Sequence, residues 1–128
     1  MTSTEVLQYR RALLVEDEAI IAIHLELMLG DLGITVIQTA AHINAALNAA
    51  RSIVCDFAIL DVNLNGTLIY PVADVLKERN IPYIFTTGYS SSGLDKAYAH
   101  TPKLLKPIEK SELQKLLLCL FKTRQDQT

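Results

Sequence analysis

The sequence predicts an α/β fold in which one parallel five-stranded sheet is covered by helices on both faces. Three observations carry this. Short runs that are apolar at nearly every position alternate with segments whose apolar residues recur at helical spacing. The pair of patterns occurs five times, and polar residues gather directly behind the apolar runs. A strand buried on both faces has no polar side to show, so an unbroken apolar run suits a parallel sheet covered twice.

The first unit is "ALLV" (residues 12–15), followed from Glu18 by Ile21, Leu25, Met28 and Leu29 at helical spacing and closed by "GDLG". "ITVIQ" and "HINAALNAARS" make the second unit. "DFAIL" and "LIYPVADVLKER" make the third, with Pro71 in the first helical turn, where its missing N–H costs nothing. "PYIFT" opens the fourth. Gly88, Ser90, Ser91, Ser92 and Gly93 favour loop and Pro102 closes the segment, so helix 4 is confined to about residues 94–100 and is expected to be short or irregular. "KLL" and "EKSELQKLLLCLF" complete the fifth unit. The expected arrangement is the flavodoxin-like doubly wound sheet, order 2-1-3-4-5.

With 128 residues, half of them hydrophobic, the chain reads as a single domain, 1–128, with frayed ends at about 1–9 and 123–128. A net charge of -2 with scattered Lys and Arg gives neither a nucleic-acid footprint nor a basic membrane face. The start lacks an apolar leader core. The uncharged stretch 32–50 is broken by Gly33, Gln38, His42 and two asparagines, so no membrane span is expected. Cys55 and Cys119 have neither metal-ligand spacing nor a disulfide framework and read as small buried hydrophobes in a reducing, cytoplasmic compartment. His24, His42 and His100 read as surface residues.

In open parallel sheets, chemistry gathers beyond the carboxyl ends of the strands. The polar residues there are Glu16, Asp17 and Glu18 after the first strand, and Asp61 and Asn63 after the third. Thr86, Thr87 and Gly88 follow the fourth, and Lys106 the fifth. Taken singly, Asp61 reads as a cap or turn residue, Glu16 or Asp17 as a helix-start acid and Lys106 as a surface charge. Together they read otherwise. If strands one and three are neighbours, Asp17 and Asp61 converge, and hard oxygen ligands on a partly open rim suit Mg2+. Lys106 and Thr87 would then complete a pocket for a small tetrahedral anion on Asp61, a carboxylate placed to be phosphorylated.

"LLVEDE", "AILDVNLNG", "PYIFTTGYS" and "LLKPIEKSEL", in that order, resemble the response-regulator receiver domain of two-component signalling. "PYIFTTGYS" is also similar to a receiver subgroup with a Phe-x-Thr-Gly-Tyr signature, typical of alphaproteobacterial stress-response signalling. The resemblance implies that Asp61 is the phosphoacceptor, that Asp17 with Glu16 organises Mg2+, and that the Asn63 backbone carbonyl is a further metal ligand. It implies that Thr87 contacts the phosphoryl group and that Lys106 pairs with it. The implied donor is a histidine kinase or a histidine phosphotransfer protein, and the implied output is a protein target, with no nucleic acid or membrane as direct partner. Enzymatic activity is limited to the domain's own phosphorylation and dephosphorylation. A stand-alone relay, sink or switch role stays open, as does an unphosphorylated pseudo-receiver. Glu16 stands where many receivers have aspartate, Thr86 makes the hydroxyl assignment ambiguous by one residue, and Lys103 occupies the usual aromatic switch position. Tyr89 is a candidate gate for hydrolytic water, and Tyr89 or Tyr98 a candidate moving ring. A haloacid-dehalogenase-type phosphatase lacks its second acid at Asn63, and a flavodoxin phosphate loop is incompatible with "EDEA".

Overall fold

The computed structural model describes residues 3–88 and 94–126. In chain order its elements are α1 (Ser3–Leu7), β1 (Arg11–Val15), α2 (Ala19–Asp31), β2 (Thr35–Ala40), α3 (Ile43–Ser52), β3 (Phe57–Asp61), β4 (Asn63–Leu64), β5 (Thr67–Leu68), α4 (Tyr70–Glu78), β6 (Tyr83–Thr87), a 3-10 turn (Lys96–Tyr98), β7 (Lys103–Leu105) and α5 (Lys110–Asp126). The sheet runs β2-β1-β3-β6-β7, all neighbours parallel, which is the expected 2-1-3-4-5 once the small β4-β5 hairpin is set aside.

Alternation along each strand divides the core into two layers. Leu13, Val15, Ala58, Leu60 and Phe85 face α3 and α4. Ala12, Leu14, Phe57, Ile59, Ile84 and Leu104 face α2, α5 and α1. The three central strands are buried throughout or nearly so, which is why their sequences show no polar alternation. Each fully buried Leu, Ile or Phe contributes roughly 1.5–3 kcal/mol of transfer free energy. The helices begin where local chemistry allows. His42 caps α3 through Nδ1, which accepts from the Ala45 N–H at 3.4 Å, and Pro71 lies in the first turn of α4.

Several expectations are corrected. Residues 3–7 form a helix rather than a frayed end, because Val6 and Leu7 bury themselves with Leu117 and Phe121 of α5. Arg10 secures the turn that follows. Its Nε donates to the Val6 carbonyl at 2.9 Å and its guanidinium lies 4.2 Å from the Phe121 ring centre. At the other end, α5 continues to Asp126. Cys119 is exposed, since α5 buries Leu113, Leu117 and Phe121 at intervals of four and so turns position 119 outward; Cys55 is half-buried. Asn63–Leu64 and Thr67–Leu68, where no strand is expected from the sequence, pair as an antiparallel hairpin.

The fourth crossover is short and irregular, as expected. Among the described residues it contains one 3-10 turn, with the Asp95 carboxylate accepting from the Ala97 N–H. Tyr98 ties this turn to α4. Its ring is buried, stacks parallel on Tyr70 at 4.6 Å and tilts against Phe85, while its hydroxyl donates to Asp74. The Tyr70 hydroxyl accepts from the Asp95 N–H at 2.9 Å. Tyr89, the other candidate ring and the candidate water gate, lies outside the described residues.

Truncating the stacked ring tests this attachment. Tyr98→Ala should lower unfolding free energy by about 3 kcal/mol, within the range for deleting buried aromatic rings. Tyr98→Phe, which loses only the hydroxyl's hydrogen bond, should cost about 1 kcal/mol. Urea unfolding of the two variants checks both values.

Candidate functional site

Strand register brings the acids together. Leu14 and Ile59 are paired in adjacent strands, as are Val15 and Leu60; continuing that register by one residue sets Glu16 level with Asp61. Both residues continue the rows that face α2 and α5, so the pleat points their carboxylates to the same side of the sheet. Lys106 sits two residues beyond Leu104 of the same row, just past β7 and before a cis Pro107. Its Nζ lies 3.0 Å from Asp61 Oδ2 and 3.1 Å from Glu16 Oε2. One cation thus spans two buried carboxylates, Glu16 at 2 % and Asp61 at 4 % exposure.

The balance of charge is visible in the ionisation of the group. Burial, reinforced by the Asp61 charge, pushes Glu16 up to about 7 against the opposing pull of the Glu18 N–H and Lys106. Burial also raises Asp61, with Lys106 pulling the other way. For Lys106, burial disfavours the charge, but the hydrogen bonds and charges of Asp61 and Glu16 outweigh it and raise the pKa.

Beyond the strand ends lies an open cleft of ≈ 460 Å³, lined by Asp17, Asp61, Asn63, Thr87 and Lys106 with the Asn65–Gly66 turn as one wall. Thr87, not Thr86, reaches this cleft; Thr86 is paired in register with Asp61 and lies buried beneath. The acids singled out from the sequence therefore meet Thr87 and Lys106 at one rim, while Lys103 lies apart on β7. Sequence reasoning missed the hairpin. Its signal was present in Asn65-Gly66, the dipeptide that favours a two-residue turn with both residues at positive φ, and these residues have φ 55° and 87°.

The donor set fits a hard divalent cation. Carboxylate oxygens of Glu16, Asp17 and Asp61 lie within 4.8 Å of one another, and every donor is oxygen. Glu16 Oε2 is buried and, although close to Lys106, makes no aligned hydrogen bond, so a buried acceptor is left for another positive partner.

No family model matches the chain, and no curated protein matches it. Solved structures do. The chain is 36% identical to SdrG from Sphingomonas melonis Fr1, with a TM-score of 0.79, covering 94% of this chain and 98% of that one. The BeF3-activated conformation of SdrG matches at 37% identity and TM-score 0.77, covering 89% and 98%. The receiver domain of the sensor histidine kinase PA1611 from Pseudomonas aeruginosa PAO1, solved with magnesium in its active site cleft, matches at 26% identity and TM-score 0.75, covering 88% and 97%. The response-regulator REC domain of PhyR from Erythrobacter litoralis shares the fold at 24% identity and TM-score 0.77, covering 90% and 93%.

The raised carboxyl pKa makes a signed prediction. Because Glu16 holds its proton more tightly in the folded state, its contribution is greatest below pH 4.5 and is lost as pH rises through about 7. In EDTA, wild type should lose stability relative to Glu16→Gln between about pH 5 and about pH 8. Urea midpoints of the two proteins across that range check the sign.

Proposed function

Because the chain belongs to the receiver-domain family of response regulators, we propose that it takes a phosphoryl group from a phosphohistidine onto Asp61 and passes the signal to a protein partner. The observation that carries this reading is the Asp61 carboxylate, held 3.0 Å from Lys106 Nζ at the floor of an acidic cleft. An Asp61 oxygen attacks phosphorus, a P–O bond forms, the P–N bond breaks and its electron pair returns to the imidazole. Lys106 and the Thr87 hydroxyl meet the transferred oxygens. Glu16, Asp17, Asp61 and the Asn63 backbone carbonyl would hold Mg2+, which when bound neutralises charge on the transferring group. Magnesium in the PA1611 receiver and the BeF3-activated state of SdrG, BeF3 being a tetrahedral stand-in for a phosphoryl group, support the same roles here. Chemistry is confined to the protein's own phosphorylation and dephosphorylation.

The donor's docking face adjoins the cleft. Helix α2 is apolar on nearly all sides: it buries Ala22, Leu25 and Leu29 yet exposes Ile20, Ile23 and Leu27, at 72 %, 54 % and 64 %. A side chain with no core to enter gains by burial against a partner. Beside this face, an apolar groove of ≈ 310 Å³ between α2 and the Pro107–Ile108 turn includes Lys106, which also lines the acidic cleft. A histidine kinase or histidine phosphotransfer protein bound across α2 would bring its phosphohistidine to Asp61. His24 lines this groove and has no place in the chemistry.

Acetyl phosphate should add the mass of one phosphoryl group to wild type in Mg2+, and none to Asp61→Asn or to wild type in EDTA. Intact-mass spectrometry reads this, and phosphorylation of Asp61→Asn would overturn the assignment. Absence of any mass gain in wild type would favour a pseudo-receiver.

Ile23→Glu or Leu27→Glu should slow transfer from the cognate histidine protein about tenfold or more, as expected when a central apolar contact is lost. Acetyl phosphate labelling of the same variants should be unchanged. The pair of rates separates docking from chemistry.

A further inference from the structure

The hairpin after β3 makes the Asn63 carbonyl face the acids. Asn63 pairs with Leu68, and Leu64 with Thr67, around the Asn65–Gly66 turn. The next rung outward is hydrogen-bonded, the Ile69 N–H donating to the Val62 carbonyl at 3.0 Å. Antiparallel rungs alternate between hydrogen-bonded and non-hydrogen-bonded pairs, so Asn63 and Leu68 form a non-hydrogen-bonded pair, and the backbone polar groups of Asn63 point away from β5. The Asn63 N–H bears this out by donating to Asp61 Oδ1 at 3.3 Å. In an extended residue the carbonyl points to the same side as the N–H, toward the carboxylate cluster.

From this we infer that the Asn65–Gly66 turn is a positioning element for the cation site, with Gly66 its critical residue; this rests on the reading that Mg2+ binds at the acidic cleft. The turn sets the rung register, and the register decides which way the Asn63 carbonyl points. A slip of one residue would turn that carbonyl into the hairpin ladder. Three features hold the turn. Leu64 is buried in the α3–α4 layer, the Asn63 side-chain oxygen accepts from the Gly66 N–H at 2.8 Å, and Gly66 sits at φ 87°. A Cβ at Gly66 would meet nothing within 4 Å, so a side chain there acts through backbone conformation and not through a clash. That separates two kinds of substitution. Alanine is strained at positive φ, whereas asparagine tolerates it.

The test is Mg2+ binding by isothermal titration calorimetry on the full chain, with amide hydrogen exchange and urea unfolding in EDTA. Gly66→Ala should weaken Mg2+ binding up to about tenfold, as left-handed strain at a residue with a Cβ allows, and should speed exchange of the Gly66-equivalent and Ile69 amides. Gly66→Asn should restore both. Equal Mg2+ affinity in wild type, Gly66→Ala and Gly66→Asn would overturn the positioning role while leaving the cation site standing. Equal weakening in both variants would also overturn it, because left-handed tolerance would then not be the cause. A wild type that binds no Mg2+ would overturn both the inference and the reading beneath it.

Discussion

Two carboxylates fixed at the same level of neighbouring strands, on the same side of the sheet, are the constraint around which the molecule is arranged. Unit charges about 4 Å apart repel by about 4 kcal/mol at the effective dielectric of a protein's outer layers. Glu16 and Asp61 are almost fully buried, so water screens them little. Lys106 offsets part of the repulsion by lying against both, and protonation of Glu16, raised to about 7, offsets more. The cluster is therefore built to respond to any change in charge at the cleft. A bound cation would relieve it, and on the proposed function a phosphoryl group on Asp61 would offer Lys106 and Thr87 new oxygens.

The scaffold around this cluster divides into stiff and short-range parts. The buried central strands hold Glu16 and Asp61 through core packing on two faces. The hairpin holds Asn63 through a turn and a single buried leucine. The fourth crossover is held more locally still, by Tyr98 between Tyr70 and Phe85 and by its contact with Asp74. Where the family resemblance led one to expect an aromatic ring on the fifth sheet strand, this chain has Lys103. The ring packed against Phe85 instead comes from Tyr98, five residues earlier in the chain. Its shift would be felt on α4 and, through Phe85, on the strand that ends in Thr87.

Charge and apolar surface serve separate ends at adjoining places. The cleft is lined by acids, a lysine and a hydroxyl, a lining that suits small ions rather than a protein surface. The α2 face offers Ile20, Ile23 and Leu27 and no chemistry. Lys106 lines both the cleft and the neighbouring groove, so a partner seated on the apolar face would stand beside the Asp61 carboxylate. On the proposed function, affinity for a donor and catalysis of transfer would then vary independently.

Much of this was legible in the residues alone. Unbroken apolar runs alternating with helical patterns determined the five units, and the polar residues behind the apolar runs determined the rim; Pro71 and the short fourth crossover followed from backbone stereochemistry. What tertiary structure decided was pairing. Which of Thr86 and Thr87 reaches the cleft was decided by position in the sheet: Thr87 is the last residue of β6 and lines the cleft, whereas alternation alone would have grouped Thr86 with Asp61. Val6 and Leu7 looked like a frayed end because a five-residue helix has no stability of its own until α5 supplies a surface for it. Cys119 looked buried because burial on a helix is set by which neighbours it meets, and only the packing of α5 shows that. The Asn65-Gly66 turn was written in the sequence, but its consequence, the side toward which the Asn63 carbonyl points, follows from rung alternation between two strands and exists only once they are paired.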